Sequence, residues 1–186
     1  MMHRPRGTPP TDRWQRVLTF DERVLPEILR DTSATVPGIL TKTVYGLYIA
    51  QGGFVAGLVA MNSAIRTIGI EIDADPEAVD GHVRGVAEGT LDLLGVADGL
   101  PDGVVEINPD YAGEAYGKPT DAMVEAVTLV ARLEGLILDP VYSGKAMAGL
   151  IDLVKRGEFK ATETVVFVHT GGMPALFAYR SAFADI

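Results

Sequence analysis

The chain has 186 residues, 47% of them hydrophobic and 22% charged, which suits one packed domain or half of a larger two-domain protein and excludes a disordered chain. Its 16 basic and 25 acidic residues leave a net charge of −9, which argues against nucleic acid as a partner, because phosphate binding needs a basic patch. The absence of cysteine excludes disulfides, thiolate metal sites and a cysteine nucleophile, and no apolar run reaches the roughly 18 residues that span a bilayer. The amino terminus is basic but has no apolar core of a secretory signal, so a cytoplasmic protein is expected.

Residues 1 to about 40 form an irregular amino-terminal segment, with Pro5, Pro9, Pro10, several arginines and the only tryptophan, Trp14. Thr19–Arg30 has acids near its start that favour a helix, interrupted at Pro26. From about 41 to 186 strands and helices alternate. Val44–Ile49 reads as a buried strand, Gln51-Gly52-Gly53 as a break, and Phe54–Arg66 as a helix of small apolar residues. Thr67–Ile72 is a second strand. Pro76 suits the first turn of a helix running to about Leu94. Val104–Ile107 is a third strand, Pro119–Glu134 an amphipathic helix, and Leu136–Leu138 a short strand. Ser143, a natural N-cap, opens a helix to Arg156; Glu163–Val168 is the last strand, and Pro174 starts a final helix. This order predicts an α/β fold: a doubly wound, mainly parallel sheet with helices on both faces.

Four segments fall where such sheets bind ligands, at the carboxyl ends of strands. Gly52 and Gly53 stand between a predicted strand and helix, where backbone N–H groups and the helix dipole favour a phosphate; a tight packing turn explains them equally well. A dinucleotide site competes for this turn, with Glu71 as the ribose-binding acid, but the G-x-G-x-x-G spacing is absent. Tyr111–Thr120 is a Gly- and Tyr-rich loop before a helix. In Asp139-Pro140-Val141-Tyr142-Ser143, capping explains Asp139 and Ser143 but not Tyr142. His169-Thr170-Gly171-Gly172 ends the last strand. His3, His82 and His169 form no metal-ligand spacing with any acid cluster.

Asp139–Leu150 joined to His169–Phe177 resembles the carboxy-terminal signature of the pyridoxal-phosphate enzymes of the D-cysteine desulfhydrase and 1-aminocyclopropane-1-carboxylate deaminase family, over about Val44 to Tyr179. The resemblance implies pyridoxal 5′-phosphate as cofactor, a small amino acid as substrate, and the large-domain half of a fold-type-II enzyme; a homo-oligomer or a missing amino-terminal domain is expected to cover the apolar surface where the small domain would pack. It puts the cofactor phosphate at Gly52 and Gly53, although Gln51 and Phe54 replace the family's hydroxyl residues there. It puts Ser143 at the pyridine nitrogen, Thr170 and Gly171 against the ring, and Tyr116 and Tyr142 on the substrate side as the catalytic pair. Cyclopropane deaminases carry Glu at the Ser143 position and desulfhydrases carry Thr, so the implied reaction is α,β-elimination from D-cysteine, with an unprotonated ring nitrogen.

The family's Schiff-base lysine belongs to an amino-terminal segment not found in this chain. Lys145 sits in the first turn of its predicted helix, and the resembled family carries the same lysine in addition to its catalytic one, so Lys145 is rejected for that role. Lys42, Lys118, Lys155 and Lys160 read as surface lysines. A truncated, impaired enzyme is therefore expected, with a non-catalytic cofactor-binding or interaction module as the other reading.

Overall fold

The computed structural model describes residues 40–45, 48–72, 76–96 and 98–184. The helix expected at Thr19–Arg30, and almost all of the segment expected to be irregular, lie outside these residues.

Four strands form one sheet: β1 (Leu40–Tyr45), β2 (Arg66–Ile70), β3 (Ile107–Asn108) and β4 (Thr164–Phe167). Their order is β3-β2-β1-β4 and every neighbouring pair is parallel; Thr43 lies opposite Thr67 on one side and Val166 on the other. Parallel neighbours need crossovers, which the helices α1 (Tyr48–Ala60), α2 (Pro76–Leu94), α3 (Asp121–Glu134) and α4 (Ser143–Lys155) provide.

Side-chain alternation along β2 shows why helices cover both faces. Ile68 and Ile70 point into a core with Met123 and Val127 of α3, Met147 and Leu150 of α4, and Phe167 of β4. Gly69, between them, faces α1: a Cβ there would stand 2.0 Å from Gln51 Oε1. A second core, on the α1–α2 side, joins Val55, Ala56, Val83, Ala87, Leu91 and Val105. Burial of such side chains stabilises by about 25 cal/mol per Å² of apolar surface. The doubly wound α/β architecture expected from the sequence is the one observed.

Three local expectations are corrected. The break at Gln51-Gly52-Gly53 is helix: α1 begins at Tyr48, and β1 ends at Tyr45. Gln51, Gly52, Val55 and Ala56 are buried at helical spacing, so the small apolar run packs as one face. Leu136–Leu138 joins no strand; Leu138 is fully buried, and the Ile137 carbonyl bonds to the His169 ring instead of a neighbouring backbone. The segment from Pro174 is a 3-10 helix, Met173–Phe183, kinked at Tyr179. In contrast, α2 runs from Pro76 to Leu94 as the sequence predicts. All strands point one way, so the α1 amino terminus, residues 71–72, the 109–120 loop and the 169–172 turn gather at one edge.

Candidate active site

Asp139 organises the turn before α4. It is 0% exposed, and its Oδ1 accepts the N–H groups of Val141 (2.8 Å) and Tyr142 (2.7 Å). Its Oδ2 accepts the Ser143 N–H at 2.8 Å and the Ser143 hydroxyl at 2.5 Å. The Asp139 N–H in turn donates to Ser143 Oγ at 2.8 Å. Ser143 is therefore not the N-cap. It is the first helical residue, Tyr142 takes the cap position without a side-chain bond, and Asp139 satisfies the free N–H groups of the helix start.

This network fixes Tyr142, which reaches across to the 111–120 loop. The Tyr116 and Tyr142 hydroxyls share a hydrogen bond, and their rings meet edge to face at 6.0 Å and 63°. Tyr116 is 52% exposed. Its loop is held at three points. Thr120 caps α3 by accepting the Met123 N–H at 3.2 Å. The Tyr179 hydroxyl donates to Gly117 O at 2.8 Å. The Lys145 ammonium donates to Ala112 O at 2.5 Å and to Ala115 O at 3.4 Å.

The turn after β4 closes the other side. His169 Nδ1 accepts the Gly171 N–H at 3.0 Å, so Nε2 carries the proton and donates to Ile137 O at 2.9 Å. Gly172, at φ 87°, lies over the Asp139 carboxylate, and a Cβ there would stand 2.9 Å from Cγ. Thr170 is exposed on this turn.

The fold thus brings Tyr116 to Tyr142 and places Ser143 and Gly172 around Asp139. It does not bring Gly52 and Gly53 in as a glycine turn. Gly52 faces α2, where a Cβ would stand 2.7 Å from Val86 Cβ, and Gly53 is exposed on α1. The helix starts at Tyr48, so both glycines lie past its first three residues. Glu71 is 2% exposed, which closes it to a ribose. The sequence did not signal Tyr179, whose contact with Gly117 spans 62 residues.

Tyr111, behind this loop, donates to Asp152 Oδ2 at 2.6 Å; burial first, and then this bond, push its phenol up to about 12. It borders a hollow of about 520 Å³ on the outer side of α3 and α4, which none of Tyr116, Tyr142, Ser143 or Thr170 lines. Among the described residues no group of three or more His, Asp or Glu is placed to hold a metal, and no helix is long and apolar enough to cross a membrane.

A parallel sheet whose strand ends gather two tyrosines, a carboxylate-held serine and a glycine turn fits a cofactor enzyme of one class. The family model of pyridoxal-phosphate dependent enzymes matches residues 18–171, and the chain belongs to that family. Within it, the chain is similar to the 1-aminocyclopropane-1-carboxylate deaminase of Burkholderia vietnamiensis (strain G4 / LMG 22486), 44% identical over 135 residues, covering 73% of this chain and 40% of that one. It is 42% identical over 135 residues to the deaminase of the same description from Burkholderia multivorans (strain ATCC 17616 / 249), with the same coverage. The crystal structure of an ACC deaminase homologue superposes with a TM-score of 0.72 at 32% identity, covering 88% of this chain and 48% of that one. The chain spans about 40% of the length of the curated relatives it matches.

Proposed function

We infer that this chain carries the cofactor-ring and substrate side of a pyridoxal-phosphate site for α,β-elimination from a small amino acid, D-cysteine. The net reaction takes D-cysteine and one water to pyruvate, ammonia and sulfide. The observation that supports it is the Tyr116–Tyr142 hydroxyl pair, standing beside the Asp139–Ser143 network at the carboxyl edge of the sheet.

The Ser143 hydroxyl supplies the test of whether a pyridine ring fits. A hydroxyl has one proton and two acceptor lone pairs. The proton goes to Asp139 Oδ2 and one lone pair takes the Asp139 N–H, so one acceptor position is left. Ser143 thus fits a ring nitrogen that brings its own proton. The buried carboxylate would then act through Ser143 to favour a charged ring, whereas the resemblance implies an unprotonated nitrogen. When bound, the cofactor supplies an electron sink for the bonds around the amino-acid α-carbon.

The remaining roles fall to the chain's own residues. The amino-terminal turn of α1 suits the phosphate through its helix dipole, with Gly52 setting how that helix packs and Gly53 exposed beside it. Thr170 and Gly171 flank the ring. Tyr142, steadied by Tyr116, gives a proton to the departing thiolate, a role suited to a phenol that shares its proton with a second phenol. Exposed Leu129, Leu133 and Ile137 offer apolar surface for self-association in a cytoplasmic homo-oligomer.

A non-catalytic cofactor-binding or interaction module is the second reading. The engagement of the Lys145 ammonium with backbone carbonyls favours it, because that amine is then not offered to a cofactor. One experiment separates the two. The chain is incubated with pyridoxal phosphate, reduced with borohydride, digested and searched by mass spectrometry for a pyridoxyl-lysine, with pyruvate release from D-cysteine assayed in parallel. A single stoichiometric adduct with pyruvate release supports the enzyme. Cofactor binding with neither supports the module, and no binding at all overturns both.

A further inference from the structure

Among the described residues Lys145 is the largest fully buried side chain. Its side chain is 0% exposed, and it lies in the first turn of α4, where the helix dipole repels a cation. Burial alone disfavours the charged amine, and an apolar side chain of similar length would fill the space without that cost. Three backbone carbonyls offset it: Ala112 O at 2.5 Å, Ala115 O at 3.4 Å and Ile72 O at 3.4 Å. They come from two separate segments, one following β2 and one following β3.

We propose that Lys145 is the positioning residue of the site. Its ammonium clamps the Ala112–Ala115 stretch against the end of β2 and so holds Tyr116 within reach of Tyr142. The geometry is one of convergence on a single turn of helix. Ser143 is tied to the turn that carries Tyr142, and Lys145, two residues on, is tied to the loop that carries Tyr116. The start of α4 thereby sets the separation of the two phenols. The assignment deepens the functional reading above and takes its catalytic meaning from it, but its test needs no cofactor.

The chain has no cysteine, so Lys145→Cys places a unique thiol. Alkylation of that thiol in the unfolded chain with bromoethylamine, followed by refolding, restores an amine at nearly the original length. Hydrogen exchange of the 112–117 amides and nuclear Overhauser effects between the Tyr116 and Tyr142 rings are then compared across wild type, Lys145→Met, Lys145→Cys and the aminoethylated protein. We expect exchange at 112–117 to rise at least tenfold in both unmodified variants. Exchange at Leu150 and Leu153 should rise less, the ring-to-ring signal should vanish, and both readouts should return on aminoethylation. Unchanged exchange at 112–117, or a rise shared equally by α4, overturns the proposal. Should neither variant fold, the wild-type chain decides: a slowly exchanging Lys145 ammonium signal coupled to Ala112 supports the clamp, and its absence sinks it. A chain that shows the clamp but takes up no pyridoxal phosphate refutes the functional reading and leaves the positioning role standing.

Discussion

Ser143 and Asp139 bond each other three times: the serine hydroxyl donates to Asp139 Oδ2 at 2.5 Å, the serine N–H donates to the same oxygen at 2.8 Å, and the aspartate N–H donates back to Ser143 Oγ at 2.8 Å. The same carboxylate holds three consecutive N–H groups, from Val141 to Ser143. Asp139→Asn keeps one acceptor oxygen but turns an NH₂ toward donors. We expect it to lower stability by about 1–3 kcal/mol, the cost of a buried polar group left without a partner. Urea unfolding followed by circular dichroism measures it, and an unchanged midpoint would falsify the capping role.

Two glycine substitutions should move stability in opposite directions. Gly172→Ala puts a side chain at φ 87° and 2.9 Å from the Asp139 carboxyl carbon, and should destabilise by at least about 1–2 kcal/mol. Gly53→Ala adds a methyl that meets nothing within 4 Å on an exposed helical position, and should stabilise by about 0.5–1 kcal/mol. Thermal unfolding of both variants tests the helical register of α1 directly. A destabilising Gly53→Ala would restore the turn read from sequence.

The tyrosine pair should be energetically coupled. Tyr116→Phe, Tyr142→Phe and the double variant form a cycle in which we expect an interaction of about 0.5–1.5 kcal/mol, the range of one partly exposed hydrogen bond. Additive effects in that cycle would mean that the two hydroxyls do not share a bond in solution.

Alkaline pH should weaken the fold through Tyr111. Its phenol titrates near 10.0 in the unfolded chain and about 12 in the folded one, held up by burial and by Asp152. Between these values the folded state binds more protons than the unfolded. The stability from this group is therefore complete below pH 10 and is lost as pH rises through about 12. Tyr111→Phe should flatten that part of the stability profile, measured by denaturant unfolding at stepped pH. An identical slope in the two proteins would remove Tyr111 from the account.

The ion pairs around Arg66 belong to a different class. Arg66 contacts Glu106 and Glu158, but the three side chains are 37%, 38% and 41% exposed, so solvent screening keeps each pair to at most about 1 kcal/mol. They lie at the amino end of β2, away from the carboxyl edge that carries the candidate site.

Much of the site was legible because its signals are local. Asp139 and Ser143 are four residues apart, so the capping turn could be read from spacing, although which residue does the capping could not. Tyr142 stood out because capping left it unexplained. Gly52 and Gly53 misled for the opposite reason: two adjacent glycines suit a turn, but here Gly52 serves close helix packing against Val86 of α2, 34 residues away, and Gly53 stands exposed on α1. Leu136–Leu138 misled similarly, since an apolar triplet is buried in a strand or in a loop alike, and only the bond from His169 shows which.

What the sequence determined by itself is the periodic part. Strand–helix alternation, the Pro76 start of α2 and the family signature all lie in short windows, where propensity and side-chain spacing act. What only the tertiary structure decided is which long-range partners each polar group meets. Lys145 reaches carbonyls 33 and 73 residues away, Tyr179 reaches Gly117, and Gln51 gives its Nε2 proton to Glu106 O. Those pairings follow from the demand that buried donors and acceptors be satisfied, and that demand can be met only once the sheet and its helices have brought distant segments together.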